Sequence, residues 1–223
     1  MASFFVVSTP IGNLKDVTLR AIEVLKSVDL VLSEDTKTSK KLFQKYNIKT
    51  PLLSYHQHSS EKRVKEILQE LKKGKNLALI SEAGTPCISD PGSKLIERIR
   101  KELPQVKIIP ISGPSALISA LSVSGFSGDK FLFLGFLPSK RKRKKFFEEI
   151  KNSKYTVVLF ESSHRILKTL RELKDFLGDD LEVFVAREMT KIFESFYFGN
   201  ISEVIEKIEK DSQKGEFVIV IKR

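Results

Sequence analysis

The stretch from Glu61 to Gly92, EKRVKEILQELKKGKNLALISEAGTPCISDPG, decides the fold. Val64, Ile67, Leu68 and Leu71 recur at helical spacing, which predicts a helix over 61–73 closed by Gly74. Leu77-Ala78-Leu79-Ile80 then runs apolar without alternation. A strand with no polar face is covered on both sides, which is the habit of a parallel sheet. The loop that follows, Ser81 to Gly92, is unusually rich in glycine and proline. Its Asp90-Pro91 pair fits an N-cap followed by proline in the first turn of the next helix.

The same alternation extends in both directions. Phe4-Phe5-Val6-Val7 reads as a buried strand, residues 18–27 as a helix, and 29–32 and 52–54 as strands. A helix is expected at 94–101 and a strand at 106–111. Beyond these, 131–136, 157–160, 181–186, 195–198 and 217–221 read as strands, and 144–151 and 164–176 as helices. The first half is therefore α/β with a mostly parallel sheet, and the strand-richer second half is expected to hold a mixed sheet. Ser122 to Asp129, SVSGFSGD, is the richest Gly/Ser stretch between periodic elements. It predicts an N-terminal lobe over 1–121, a linker over 122–129 and a C-terminal lobe over 130–223.

Composition narrows the function classes. The 223 residues carry 39 Lys+Arg against 28 Asp+Glu, a formal charge of +11, which favours a polyanionic partner such as RNA or DNA. One cysteine, Cys87, rules out an internal disulfide and a multi-cysteine metal site. The three histidines are too scattered for a zinc signature. No apolar run reaches the roughly 20 residues that span a bilayer, and the N-terminus lacks the pattern of a signal peptide. A cytoplasmic setting, with no membrane and no metal, is the expectation.

The charge is uneven. Residues 1–128 hold 19 basic and 12 acidic side chains, hence +7; residues 129–223 hold 20 and 16, hence +4. The run Lys140-Arg141-Lys142-Arg143-Lys144-Lys145 supplies +6 by itself, so the second half would otherwise be −2. Cations at a helix start oppose its dipole, which suggests an external anion such as phosphates; these six residues are the expected RNA contact, with a merely solvated loop as the alternative. Phe146 and Phe147 behind it could stack on bases but are expected in the core.

Four loops follow apolar strands, where open α/β sheets bind ligands. They are Ser8 to Leu14, Ser33 to Ser39, Ser81 to Gly92 and Ser112 to Ala116. Pro10 stiffens the first, and Gly12 permits close backbone approach there. The glycine fingerprints of dinucleotide and P-loop proteins are absent, as is the serine-hydrolase elbow.

Seven segments recur in order as in a known family: STPIGNLKDVTLRA (8–21), SEDTKTS (33–39), SEAGTPCISDPG (81–92), ISGPSALISAL (111–121), FESSHR (160–165), AREMTKIFE (186–194) and KGEFV (214–218). Together they resemble the 16S rRNA ribose-methylating branch of the tetrapyrrole methylase superfamily, along essentially the whole chain. The resemblance implies a two-lobed homodimer that binds S-adenosylmethionine between its lobes. It implies 2′-O-methylation of a cytidine in the decoding region of 16S rRNA, on the rRNA or the small ribosomal subunit. It assigns cofactor contacts to Pro10, to Ala83, Gly84, Thr85 and Ile88 with Pro86 in the same loop, to Ser115 and Ala116, and to Phe160, Glu161 and Met189. Many relatives carry Asp where Thr85 stands, so a carboxylate is missing at that position.

Methyl transfer to a sugar hydroxyl needs in-line positioning and removal of a proton from a weak acid. Glu34 and Asp35 are the candidate proton acceptors, although Asp35 equally suits a helix cap. Arg165, Arg187 and Lys191 are the candidates for binding phosphate or developing oxyanion, with structural pairing to Glu161, Glu188 and Glu194 as the alternative. His164 suits a hydrogen bond at a helix start, and Cys87 a passive loop position. A tetrapyrrole-methylating relative of the same superfamily is the alternative.

Overall fold

A computed structural model describes residues 2–138 and 143–223. The chain divides into two compact units, Met1–Ser115 and Ala116–Arg223.

In the first unit, β1 (Ser3–Val7), α1 (Leu19–Ser27), β2 (Leu30–Ser33), α2 (Thr36–Lys45), β3 (Leu52–Ser54), α3 (Glu61–Lys72), β4 (Leu77–Ile80), α4 (Ser93–Glu102) and β5 (Lys107–Ile111) follow one another. The strands lie in the order β3-β2-β4-β1-β5, and every pair is parallel. Side chains alternate between two cores, as the strand period requires. Phe4, Leu77 and Leu79 pack with Ile67, Leu71, Leu95 and Ile99 from α3 and α4. Val7, Val31, Ala78 and Ile80 pack with Ala21, Leu25, Leu42 and Phe43 from α1 and α2. Each large side chain so buried contributes about 1.5–3 kcal/mol. All strands point their C-terminal ends the same way, so the four candidate ligand loops leave one end of one sheet.

The second unit holds α5 (Ala116–Val123), β6 (Phe131–Phe136), α6 (Arg143–Asn152), β7 (Thr156–Ser162), α7 (Ile166–Leu177), β8 (Glu182–Arg187), β9 (Ser195–Asn200), α8 (Ile201–Lys210) and β10 (Glu216–Ile221). Its order is β6-β7-β10-β8-β9, with β6–β7 parallel and the other pairs antiparallel, the mixed sheet that was expected.

Two local expectations are corrected. The unit boundary falls before α5 rather than after it. Leu117, Ala120 and Leu121 are buried, and α5 packs against β7 and β10, so the helix belongs with the second sheet. Of the Gly/Ser stretch 122–129, the first two residues end α5 and the rest is a loop inside that unit. Nor is Asp90 the cap of α4: the cap is Gly92, at φ 135°, and no side chain closes the helix. A Cβ at Gly92 would stand 2.6 Å from both Cys87 Sγ and Leu79 Cδ2, so only glycine lets the loop pass there. Asp90 is thereby released from capping. No described helix is long and apolar enough to cross a membrane.

Candidate functional site

The strand ends of the first unit are stitched together by short polar contacts. The N–H of Thr9 donates to Gly84 O at 2.9 Å and that of Gly84 to Thr9 O at 3.0 Å, joining the loops after β1 and β4. Thr85 Oγ1 donates to Pro114 O at 3.1 Å, which brings in the loop after β5. Because that hydroxyl has one proton, Ser8 Oγ is the donor in its 3.0 Å contact with Thr85 Oγ1. Gly84 has φ +76°, and a Cβ there would meet Ile11 Cγ2 at 3.3 Å, so the turn is held tight by a bare backbone. Thr9 Oγ1 is buried without a hydrogen-bond partner among the described residues, an open polar group in the same knot. Pro10, Gly84 and Pro86 are buried, Thr85 and Ser115 are half-buried, and Gly12, Ala83 and Ile88 are exposed. Ala116 opens α5 in the second unit.

Carboxylates gather at the same end of the sheet. Burial, helped by the negative charges of Glu34 and Glu82, pushes Asp90 up to about 6, against a hydrogen bond from Ser81 that pulls it down. Glu34 is likewise raised, first by burial and then by Glu82, with His56 opposing. None of the three forms a salt bridge with a described lysine or arginine. Asp35 differs: it caps α2, accepting from Lys37 N at 2.7 Å and Thr38 Oγ1 at 2.9 Å. Those hydrogen bonds hold its carboxyl below the usual range. A carboxylate so engaged is a poor base, and Asp35 leaves the list of proton acceptors. Three neighbouring carboxylates, a buried hydroxyl and a bare turn suit a small cationic ligand.

In the second unit the candidates are mostly committed to one another. Glu161 is 1% exposed. Its Oε1 meets Arg165 Nη2 at 2.7 Å and accepts from Ser162 N at 2.8 Å, and its Oε2 accepts from Thr169 Oγ1 at 2.7 Å. With both oxygens used inside the unit, the Glu161 carboxylate is no longer assigned to the cofactor. Arg165 keeps 27% of its side chain open and also donates to Leu137 O at 2.8 Å. Lys191 Nζ sits 2.8 Å from Glu188 Oε1 and 2.7 Å from Glu216 Oε2. Met189 is buried in a turn whose neighbours Glu188 and Thr190 have φ 49° and 64°. Phe160 packs edge-on to Phe133 and Phe136, with centroids 5.0 and 5.6 Å away.

Of the basic run, Lys140, Arg141 and Lys142 lie outside the described residues. Lys144 and Lys145 are exposed at the start of α6, facing solvent as expected. Arg143 is turned inward, where it pairs with Glu172 and donates to Pro138 O and Thr169 Oγ1. With its guanidinium bonded internally and only 10% of its side chain exposed, against 27% for Arg165, Arg143 leaves the RNA-contact set. Phe147 is in the core as expected and Phe146 packs against it.

Sequence reasoning passed over Asp90 and Glu82. Asp90 looked like a cap, and nothing in a linear string places it against Glu34, more than fifty residues earlier. The one available signal was two further carboxylates in a loop already singled out for its glycines and prolines.

The chain belongs to the tetrapyrrole (corrin/porphyrin) methylases, whose family model matches residues 3–205. Within that class it is similar to ribosomal RNA small subunit methyltransferase I of Thermotoga maritima, at 48% identity over 99% of this chain and 98% of that one. The proteins of the same name from Synechocystis and Bacillus subtilis are 44% and 43% identical, over 99% of this chain and 79% and 75% of theirs. Among solved structures, cobalt precorrin-4 methyltransferase matches with a TM-score of 0.72 at 17% identity, covering 99% of this chain and 94% of its own. That last likeness is one of fold.

Proposed function

We propose that this protein transfers a methyl group from S-adenosylmethionine to the 2′ oxygen of a cytidine ribose in the decoding region of 16S rRNA, acting as a homodimer. The observation that carries the substrate class is 48% identity along nearly the whole of both chains with an enzyme named for small-subunit ribosomal RNA. The cofactor reading is supported by the stitched strand ends of the first unit. Pro10, Gly84, Thr85, Pro86 and Ser115 would hold the cofactor there. Glu34, Glu82 and Asp90 would supply negative charge for a ligand with a cationic sulfur and a cationic amino group. When bound, the cofactor supplies a methyl group already activated by its positive sulfur.

The remaining work falls to the chain. Glu34 and Asp90 lie at the sheet end without an ion pair to any described residue, and Glu34 is the residue we assign to accept the 2′-hydroxyl proton. Its raised affinity for protons brings it closer to the acidity of that task than Asp35. Lys144, Lys145 and the open part of Arg165 are assigned to phosphates. The basic excess of the chain favours RNA over a less charged substrate.

The test is a labelled-methyl assay offering 30S subunits and, separately, a uroporphyrin-type macrocycle. Label in 16S rRNA, resolved to one 2′-O-methylcytidine, is the expected result. Label in the macrocycle alone would overturn the assignment.

A further inference from the structure

Two ion pairs in the second unit are joined by a single hydroxyl. Arg143 Nη2 donates to Thr169 Oγ1 at 2.9 Å, and Thr169 Oγ1 donates in turn to Glu161 Oε2 at 2.7 Å. Arg143 pairs with Glu172 through Nε at 2.8 Å, and Glu161 pairs with Arg165 Nη2 at 2.7 Å. Thr169 is fully buried and Arg143 and Glu161 nearly so. Both arginines then reach one short piece of backbone. Arg165 Nη1 donates to Leu137 O at 2.8 Å, and Arg143 Nη1 to Pro138 O at 3.1 Å.

Buried ion pairs seldom add net stability, because the lost hydration offsets their attraction. A four-charge chain centred on one hydroxyl is therefore better explained by what it fixes. It holds the exit of β6 and, at the same time, the starts of α6 and α7, where exposed Lys144 and Lys145 and the open part of Arg165 stand. Each cation lies within two residues of a member of the chain: Lys144 and Lys145 follow Arg143, and Arg165 is itself a member.

We propose that Thr169 is a positioning residue for RNA. Its hydroxyl locks the Arg143–Glu172 and Glu161–Arg165 pairs into one unit, so that the cations at the two helix starts meet phosphates in a fixed spacing. The inference rests on the reading of the protein as an rRNA methyltransferase, and it assigns part of that site's substrate recognition. Fixed cations bind a polyanion better than loose ones, because less side-chain freedom is lost on binding.

The experiment compares 30S binding and methyl transfer for the wild type, Thr169→Val and Thr169→Ser. Valine keeps the shape and removes the hydroxyl, stranding a guanidinium N–H and a carboxylate oxygen. Thr169→Val is expected to weaken 30S binding about tenfold and to raise KM for 30S alike, with kcat and S-adenosylmethionine affinity little changed. Thr169→Ser should restore both. Unaltered 30S binding in Thr169→Val, even with lowered thermal stability, overturns the proposal, as does equal weakening in Thr169→Ser. Should Thr169→Val not fold, Glu172→Gln, at a side chain 32% exposed, is measured in its place. Weaker binding there supports the locked unit and unchanged binding overturns it. A wild type that binds 30S without methylating it defeats the functional reading alone, since the binding comparison still decides the role of Thr169.

Discussion

Two sets of carboxylates, one in each unit, have opposite surroundings. In the second unit Glu161, Glu172 and Glu188 each face an arginine or lysine, within 2.8 Å for Glu161 and Glu188. In the first unit Glu34, Glu82 and Asp90 lie in the loops at the end of a parallel sheet, and Asp90 is pushed up to about 6 by burial and by the charges of the other two. A chain with eleven surplus positive charges has cations to spare, yet none among the described residues pairs with these three. Glu61, Glu66, Glu70 and Glu102 of the first unit do pair with an arginine or lysine, so the unpaired three stand apart within their own unit as well, and they are the ones proposed to meet a cationic ligand.

The largest expected effect breaks the first-unit site mechanically. Gly84→Val places a branched side chain at a left-handed backbone position, 3.3 Å from Ile11 where its Cβ begins. Strain and close contact of about 3 kcal/mol should reduce S-adenosylmethionine affinity about 100-fold by calorimetry. The far-ultraviolet circular dichroism should be retained. Normal affinity in that variant would move the pocket elsewhere.

Neutralising Lys140, Arg141, Lys142, Lys144 and Lys145, while keeping the inward-facing Arg143, attacks the other unit. It should weaken RNA binding and lower the slope of log affinity against log salt by about 0.7–0.9 for each phosphate that is no longer neutralised. Cofactor affinity should stay within about twofold. An unchanged slope would contradict the RNA path.

A finer test sharpens the contrast by titration. Asp90 binds a proton as the pH falls through about 6, so its charge is present above that pH and absent below it. Cofactor affinity should fall on acidification through that window. Asp90→Asn should be about fivefold weaker at neutral pH, the worth of about 1 kcal/mol for one partly screened charge, and should lose this pH dependence. A wild-type affinity flat between about pH 5 and 7.5 would remove Asp90 from the site.

The smallest effect concerns stability. Because the folded state raises the pKa of Asp90, its ionised form destabilises the fold above about pH 6 and costs nothing below the unfolded value of about 4. Asp90→Asn should therefore gain about 1 kcal/mol at neutral pH, after allowance for screening, and nothing near pH 4. Glu172→Gln should move the other way, since it leaves Arg143 with a weaker partner. Equal signs for the two variants would erase the distinction between the units.

Much of this was legible in the chain. Uninterrupted apolar strands such as Leu77 to Ile80 announced the parallel sheet, and the ends of those runs located the glycine- and proline-rich loops that leave one end of it. Three helices were not legible. α2 begins in TKTS, a polar run suited to a loop; α5, ALISALSV, is apolar at six of its eight positions, which blurs its buried stripe; α8 follows β9 without a break, its cap Asn200 being the last residue of the strand. The site was half legible. Loops could be chosen by their turn chemistry, but which charges neutralise each other depends on contacts between residues far apart in sequence. For that reason Arg143 and Glu161 looked available and are not, while Asp90 looked structural and has no cationic partner among the described residues.

The most direct measurement is a crystal structure of the protein with S-adenosylmethionine bound. Density is expected against Pro10 and the Gly84–Pro86 turn, with the amino group or sulfur of the ligand facing the Glu34, Glu82 and Asp90 carboxylates. Density bound away from the strand ends of the first unit would contradict that placement.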